Sequence, residues 1–128
     1  MLASHSRIYA LVERQARAWE HNDFDLAAPD WRADGVLIAP AGQWAVTELR
    51  QTMADFHAHY TDLVVTITNV FASADGHKVA IEWDWAVTRK ADGARSLTKD
   101  AIIADLVEGK IKSWREYFDL SNSVEGPV

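Results

Sequence analysis

Past residue 62 the apolar pattern of this chain changes period and does not change back. Segments 63–72, 78–89, 95–107 and 110–119 alternate apolar with polar residues, the two-residue period of strands. Between them stand Asp75-Gly76, Asp92-Gly93 and Glu108-Gly109, dipeptides that favour the positive φ of hairpin turns. Strands joined in this way predict an antiparallel meander. Upstream the period is helical. Ile8, Leu11, Val12, Gln15 and Trp19 mark the stripe of a first helix, which Ser4 or Ser6 can cap and Asn22 can stop. A short helical piece at 25–28 ends at Pro29, and 31–35 reads as a turn into a strand at 36–39, stopped by Pro40. Thr47 can cap a further helix to Tyr60, with Leu49, Met53, Phe56 and Tyr60 on one face.

Helices followed by a meander predict an α+β fold, with helices packed on one side of a curved antiparallel sheet. Such a cone-shaped sheet leaves an apolar mouth fit for a small molecule. The 128 residues make one domain, placed at 1–120, with 121–128 as a tail. The chain has no cysteine, which excludes disulfides and thiolate chemistry. Its formal charge is −6 and no Lys/Arg cluster occurs, so neither nucleic acid nor an anionic membrane is an expected partner. No apolar run reaches membrane-spanning length and no signal-like segment opens the chain, so a cytoplasmic protein is expected.

The final strand places Trp114, Glu116 and Phe118 on one face. A carboxylate between two aromatic rings is costly on a dry face unless it is paired, protonated or used. If the Asp92-Gly93 hairpin is centred on residue 92, Asp84 opposes Asp100. If the next is centred on residue 108, Asp100 opposes Glu116. Asp84, Asp100 and Glu116 then form one row, with Glu82, Ile102 and Trp114 in the next. A one-residue slip in either turn breaks the row. Carboxylates so close share protons, which supplies a neutral acid beside an ionised base. The alternation at 78–89 also admits the opposite facing, with Trp83 and Trp85 in the core and Glu82 and Asp84 in water.

The residues Asn22-Asp23-Phe24-Asp25 and Ala33-Asp34-Gly35-Val36, and the ending Gly109-Lys110-Ile111-x-x-Trp114-Arg115-Glu116-Tyr117-Phe118-Asp119, resemble the nuclear transport factor 2-like superfamily. The likeness is to its SnoaL-like and limonene-epoxide-hydrolase-like branches, whose domains have a cystatin-like fold. The resemblance implies that Glu116 stands at one catalytic carboxylate of the epoxide hydrolases and Asp84 at the other. Glu82 falls where those enzymes have an Arg, and Leu37 and Ala39 where they have a Tyr and an Asn that hold water. The superfamily hosts isomerases, dehydratases, cyclases, epoxide hydrolases and non-catalytic binders, so the fold alone selects no activity.

The expected function is therefore a cofactor-free acid–base enzyme acting on a small, largely apolar molecule, of isomerase, cyclase, dehydratase or epoxide-opening type. The alternative is a non-catalytic ligand-binding or dimerisation domain. Glu116, Asp84 and Asp100 are the catalytic candidates. Trp114, Phe118, Tyr60, His57, Met53, Phe56, Glu82 and Leu37 are the pocket candidates. With the acids inward, Trp83, Trp85, Arg115 and Tyr117 form an outer face, and a homodimer would cover it. No metal or cofactor motif occurs, nor any nucleophile elbow, P-loop or dinucleotide fingerprint.

Overall fold

The computed structural model describes residues 2–119; the expected tail at 121–128 lies outside them. Helix α1 (Leu2–His21) begins ahead of Ser4 and Ser6, the two expected caps. It stops at Asn22, whose φ of 53° is left-handed as expected. The short helix α2 (Phe24–Ala27) and a 3₁₀ turn at Ala28–Asp30 lead into strand β1 (Trp31–Ala39). Strand β2 (Gly42–Ala45) folds back on β1 and has no counterpart among the strands expected from sequence. A 3₁₀ turn at Val46–Glu48 opens helix α3 (Leu49–His59). There Glu48 Oε1 reaches back to accept the Ala45 N–H at 2.8 Å, while Thr47, the expected cap, lies within the 3₁₀ turn.

Strands β3 (Tyr60–Ala72), β4 (Lys78–Arg89), β5 (Arg95–Val107) and β6 (Lys110–Tyr117) form the antiparallel meander. All six strands lie in one sheet, in the order β2-β1-β6-β5-β4-β3. Only the β1–β6 pairing is parallel among them. It joins the first hairpin to the meander. The core lies between the inner face of the sheet and the helices. Val79, Ile81, Trp83 and Val87 of β4 and Ile102 and Ala104 of β5 are buried there, under Leu11 and Val12 of α1 and Leu49 and Phe56 of α3. Each large apolar side chain so buried contributes about 1.5–3 kcal/mol.

Two turns set which residues face that core. In the β4–β5 hairpin the loop between Arg89 and Ala94 holds four residues, 90–93. The Arg89 N–H donates to Ala94 O at 2.8 Å, Gly93 takes a φ of 72°, and Asp92 accepts the Ala94 N–H at 3.1 Å. An even-numbered loop opposes Trp83 to Asp100 and Asp84 to Lys99. The expected Asp84–Asp100 pairing is thus one residue off, and every side chain of β4 changes face. Trp83 and Trp85 point into the core cluster, while Glu82 and Asp84 lie on the outer face. The outer face expected to carry Trp83, Trp85, Arg115 and Tyr117 therefore does not form. Arg115 and Tyr117 are outside without the two indoles.

Between β5 and β6, Glu108 and Gly109 take φ of 53° and 78° in a two-residue turn. Val107 then pairs with Lys110 and Leu106 with Ile111, but Asp105 pairs with Ser113. Lys112 is the extra residue of a β-bulge. The bulge turns both Ile111 and Trp114 inward, 0% and 2% exposed, and carries Glu116 inward with them. The same point distorts β1. Trp31 pairs with Ile111 and Val36 with Ser113, so residues 32–35, expected as a turn, span the single bulged residue. Lys112 Nζ meets Asp34 Oδ2 at 2.8 Å, and Arg32 bridges Asp34 and Glu108 at 3.2 and 3.3 Å.

Gly35 closes this double bulge because nothing larger fits. A Cβ there would stand 2.7 Å from Trp31 Cε3 and 3.0 Å from the Ile111 carbonyl oxygen. Gly35→Ala is expected to cost about 1–3 kcal/mol of stability through forced backbone shifts. Urea denaturation checks this, and an unchanged midpoint would show that the β1–β6 contact is looser than described.

Candidate active site

A cavity of about 800 Å³ opens between the inner sheet face, α1, α3 and the β1–β2 hairpin. Its wall is mainly aromatic: Trp19 from α1, Trp44 from β2, Phe56 from α3, Tyr60 from β3, Trp85 from β4, and Phe118 after β6. Trp19, Phe56 and Trp85 meet edge-on with centroids 5.4–6.0 Å apart, and Tyr60 stacks on Phe56 at 4.9 Å. Leu37, Ala39 and Leu49 complete the apolar lining. The exposed residues Asp55, His59 and Lys90 mark the open side, and buried Asp100 the closed side.

Asp100 and Glu116 sit together in that wall. Asp100 is 6% exposed, and the surface Glu116 keeps belongs to the cavity lining. Neighbouring strands bring them side by side, because Glu116 pairs with Ile102, the next inward position after Asp100. The two carboxyls hydrogen-bond to each other. Each also accepts from an indole behind it, Trp83 Nε1 to Asp100 at 3.2 Å and Trp114 Nε1 to Glu116 at 2.8 Å. Burial, then the Glu116 charge, push the Asp100 carboxyl up to about 10. Burial likewise raises Glu116, against the bonds from Asp100 and Trp114. Asp100 Oδ1 is sealed from water without a hydrogen-bond partner. A proton on Asp100, donated to Glu116, gives that oxygen a role. Two carboxyls so placed hold protons above the usual carboxylate range and share them as a pair.

The other expected site residues divide. Phe118, Tyr60, Phe56 and Leu37 line the cavity. Trp114 lies behind Glu116 as its hydrogen-bond donor. Met53 is buried elsewhere, against Ala18 and Ala27. His57 is not in the lining: its Nε2 lies 2.5 Å from Trp19 O and ties α3 to α1. His59 lines the cavity instead, because α3 ends there and the chain turns into β3. Asp84 faces out beside Lys99 at 3.4 Å, and Glu82 faces out and accepts from Asn69 at 2.7 Å. Neither acid reaches the dyad.

Several lining residues were not singled out from sequence. Trp44 sits on the unexpected β2. Trp19 was read only as helix stripe, and Trp85 as part of the outer face expected to be covered by a homodimer. Thr98, Arg89 and Lys90 carry no local signal. Lys90 secures the open side: its N–H donates to His59 O at 2.9 Å and its Nζ to His57 O at 2.7 Å, which satisfies carbonyls at the end of α3. Among the described residues no three His, Cys, Asp or Glu side chains gather to hold a metal ion. No described helix is long and apolar enough to cross a membrane.

Comparison with known proteins bears on the fold. The model of the SnoaL-like domain matches residues 12–114. No curated protein matches the chain. Among solved structures, a hypothetical protein with a ketosteroid isomerase-like fold from Catenulispora acidiphila, in complex with trimethylamine, superposes with a TM-score of 0.80. It is 21% identical, with 91% of this chain and 90% of that one covered. A limonene-epoxide-hydrolase-like epoxide hydrolase of M. tuberculosis gives 0.76 at 20% identity, over 94% and 89%. A protein described as a candidate polyketide cyclase from Pseudomonas putida gives 0.74 at 20%, over 92% and 96%. These likenesses show the fold.

The raised Asp100 pKa makes stability depend on pH with a definite sign. An unfolded Asp loses its proton above about pH 4, while the folded one keeps it towards about 10. The contribution is complete below pH 4 and is lost as pH rises through that window, by at most about 1.4 kcal/mol per pH unit. In Asp100→Asn the amide can donate to Glu116 as the neutral acid does, but it does not titrate. Between pH 5 and 9 the variant should gain on the wild type in chemical denaturation. Parallel curves would mean that Asp100 does not hold the proton.

Proposed function

The chain belongs to the SnoaL-like domain family, and on that footing we propose that it is a cofactor-free acid–base enzyme acting on a small, largely apolar molecule. The observation that carries the proposal is the paired carboxyls of Asp100 and Glu116, both raised by burial, set into an aromatic cavity. The ionised Glu116 takes a proton from the bound molecule and the neutral Asp100 returns one. Raised pKa values in a water-poor site suit both partners to work near neutral pH. Asp84, on the outer face, has no part in this chemistry.

The lining also narrows the reaction. Leu37 and Ala39 are apolar and face the cavity from β1, so that strand offers no side chain to hold a water against the ligand. Proton transfer within one bound molecule, as in isomerisation or cyclisation, suits such a wall better than hydrolysis. Similarity to an epoxide hydrolase and to a candidate polyketide cyclase supports an enzyme of this broad kind. The second reading is a cavity that binds without turnover. It is favoured by the indoles Trp83 and Trp114, which already engage both carboxyls.

On a panel of ketones, enones and epoxides, Glu116→Gln and Asp100→Asn are each expected to lower turnover by about 100-fold or more. Asp84→Asn should leave it within about twofold. Full activity in Glu116→Gln would sink the enzyme reading.

A further inference from the structure

Two more buried polar atoms, on residues that line the cavity, lack partners. Trp85 Nε1 and Thr98 Oγ1 are sealed from water, and neither makes a hydrogen bond. Both residues line the cavity, and Thr98 is only 5% exposed. They stand directly opposite each other across β4 and β5. Thr98 is also the inward position next to Asp100 on β5, about 6.6 Å along the strand at the usual rise per residue. The remaining unpaired side-chain atom that shares this state, Arg17 Nε, belongs to a guanidinium whose other nitrogens bond Val65 O and Glu20. Trp85 and Thr98 have no such compensation. Buried donors without partners destabilise a fold and are rare. Here two occur on facing residues, next to the dyad, in the mainly aromatic wall of the cavity.

We propose that Trp85 and Thr98 form a hydrogen-bonding subsite for a carbonyl oxygen of the molecule that the cavity holds. The inference rests on the reading of the cavity as a ligand site and adds the class of ligand. An indole N–H can only donate, and a threonine hydroxyl can donate too, so together they suit an acceptor oxygen. One rotamer step about χ1 carries the threonine hydroxyl to the place its methyl holds, and the carbonyl oxygen, as it seats beside it, also takes up the indole N–H that the wall otherwise covers. A carbonyl placed there sits within one small molecule's length of Asp100 and Glu116. Its oxygen is then held while the carbon skeleton lies on the aromatic wall. The subsite selects ketones and related carbonyl compounds over hydrocarbons of the same shape.

Equilibrium dialysis with 2-acetylnaphthalene and 2-isopropylnaphthalene tests this, since the two probes differ chiefly in the carbonyl oxygen. The affinity ratio of ketone to hydrocarbon should fall about 3- to 10-fold in Thr98→Val and in Trp85→Phe, the worth of one hydrogen bond. Thermal melting of unliganded Thr98→Val should be no lower than wild type, because the variant removes an unpaired polar atom. Trp85→Phe reads the same contact whether or not Thr98→Val folds. If both probes bind and the ratio is unchanged in the variants, the subsite is overturned and the ligand site stands. If neither probe binds the wild type, both are overturned.

Discussion

One inserted residue, Lys112, decides which side of the sheet carries Glu116. The two-residue turn at Glu108-Gly109 would by itself continue a regular ladder. In that register the side chains beyond the bulge would change face, and Glu116 would look into solvent opposite Ala101 rather than towards Asp100. The bulge restores the inward facing of Trp114 and Glu116. It depends in turn on β1, whose residues 32–35 arch over the same point and whose Gly35 leaves room for the Trp31 ring. The irregular part of the sheet is what positions the regular part chemically.

Once both acids face inward, their environment does the rest. A carboxylate in an aromatic wall loses hydration, and two of them repel, so the pair retains a proton. The indoles of Trp83 and Trp114, 5.7 Å apart, supply the apolar bulk that raises the pKa values and the N–H groups that keep each carboxyl oriented. Hydrogen bonds to the charged form moderate the effect of burial without cancelling it. The same residues thus serve as core and as support for the site, and neither role can be changed alone.

The strand meander was legible because its information is local. Alternation marked β4 and β5 at their observed bounds, and the three glycine-containing dipeptides marked the hairpins. The facing of Glu116 and Asp100 was also within reach, since aromatic neighbours flank one and the pattern places the other on the same side. Loop length was not. Asp92-Gly93 fits a three- or a four-residue loop equally well, and that difference moved Asp84 from the expected row to the outer surface. The alternation of Val79, Ile81 and Trp83 already pointed the right way for β4. The cavity wall was the least visible, because Trp19, Trp44 and Trp85 come from three distant elements and converge only through tertiary packing.

The parallel pairing of β1 with β6 bears on how the molecule assembles. The sheet order places the last strand to appear along the chain between the first hairpin and the rest. Trp31 cannot meet Ile111 until the intervening meander exists, and contacts of such wide sequence separation form slowly because a long loop must close first. Until then two sheet edges stand open, each a template for the wrong partner. The event that seals both edges also brings Leu37, Ala39 and Trp44 of the first hairpin into the cavity wall. A chain arrested short of that step has the acid pair on its hairpin but no complete wall around it, so the appearance of function would mark the final docking of the fold rather than its collapse.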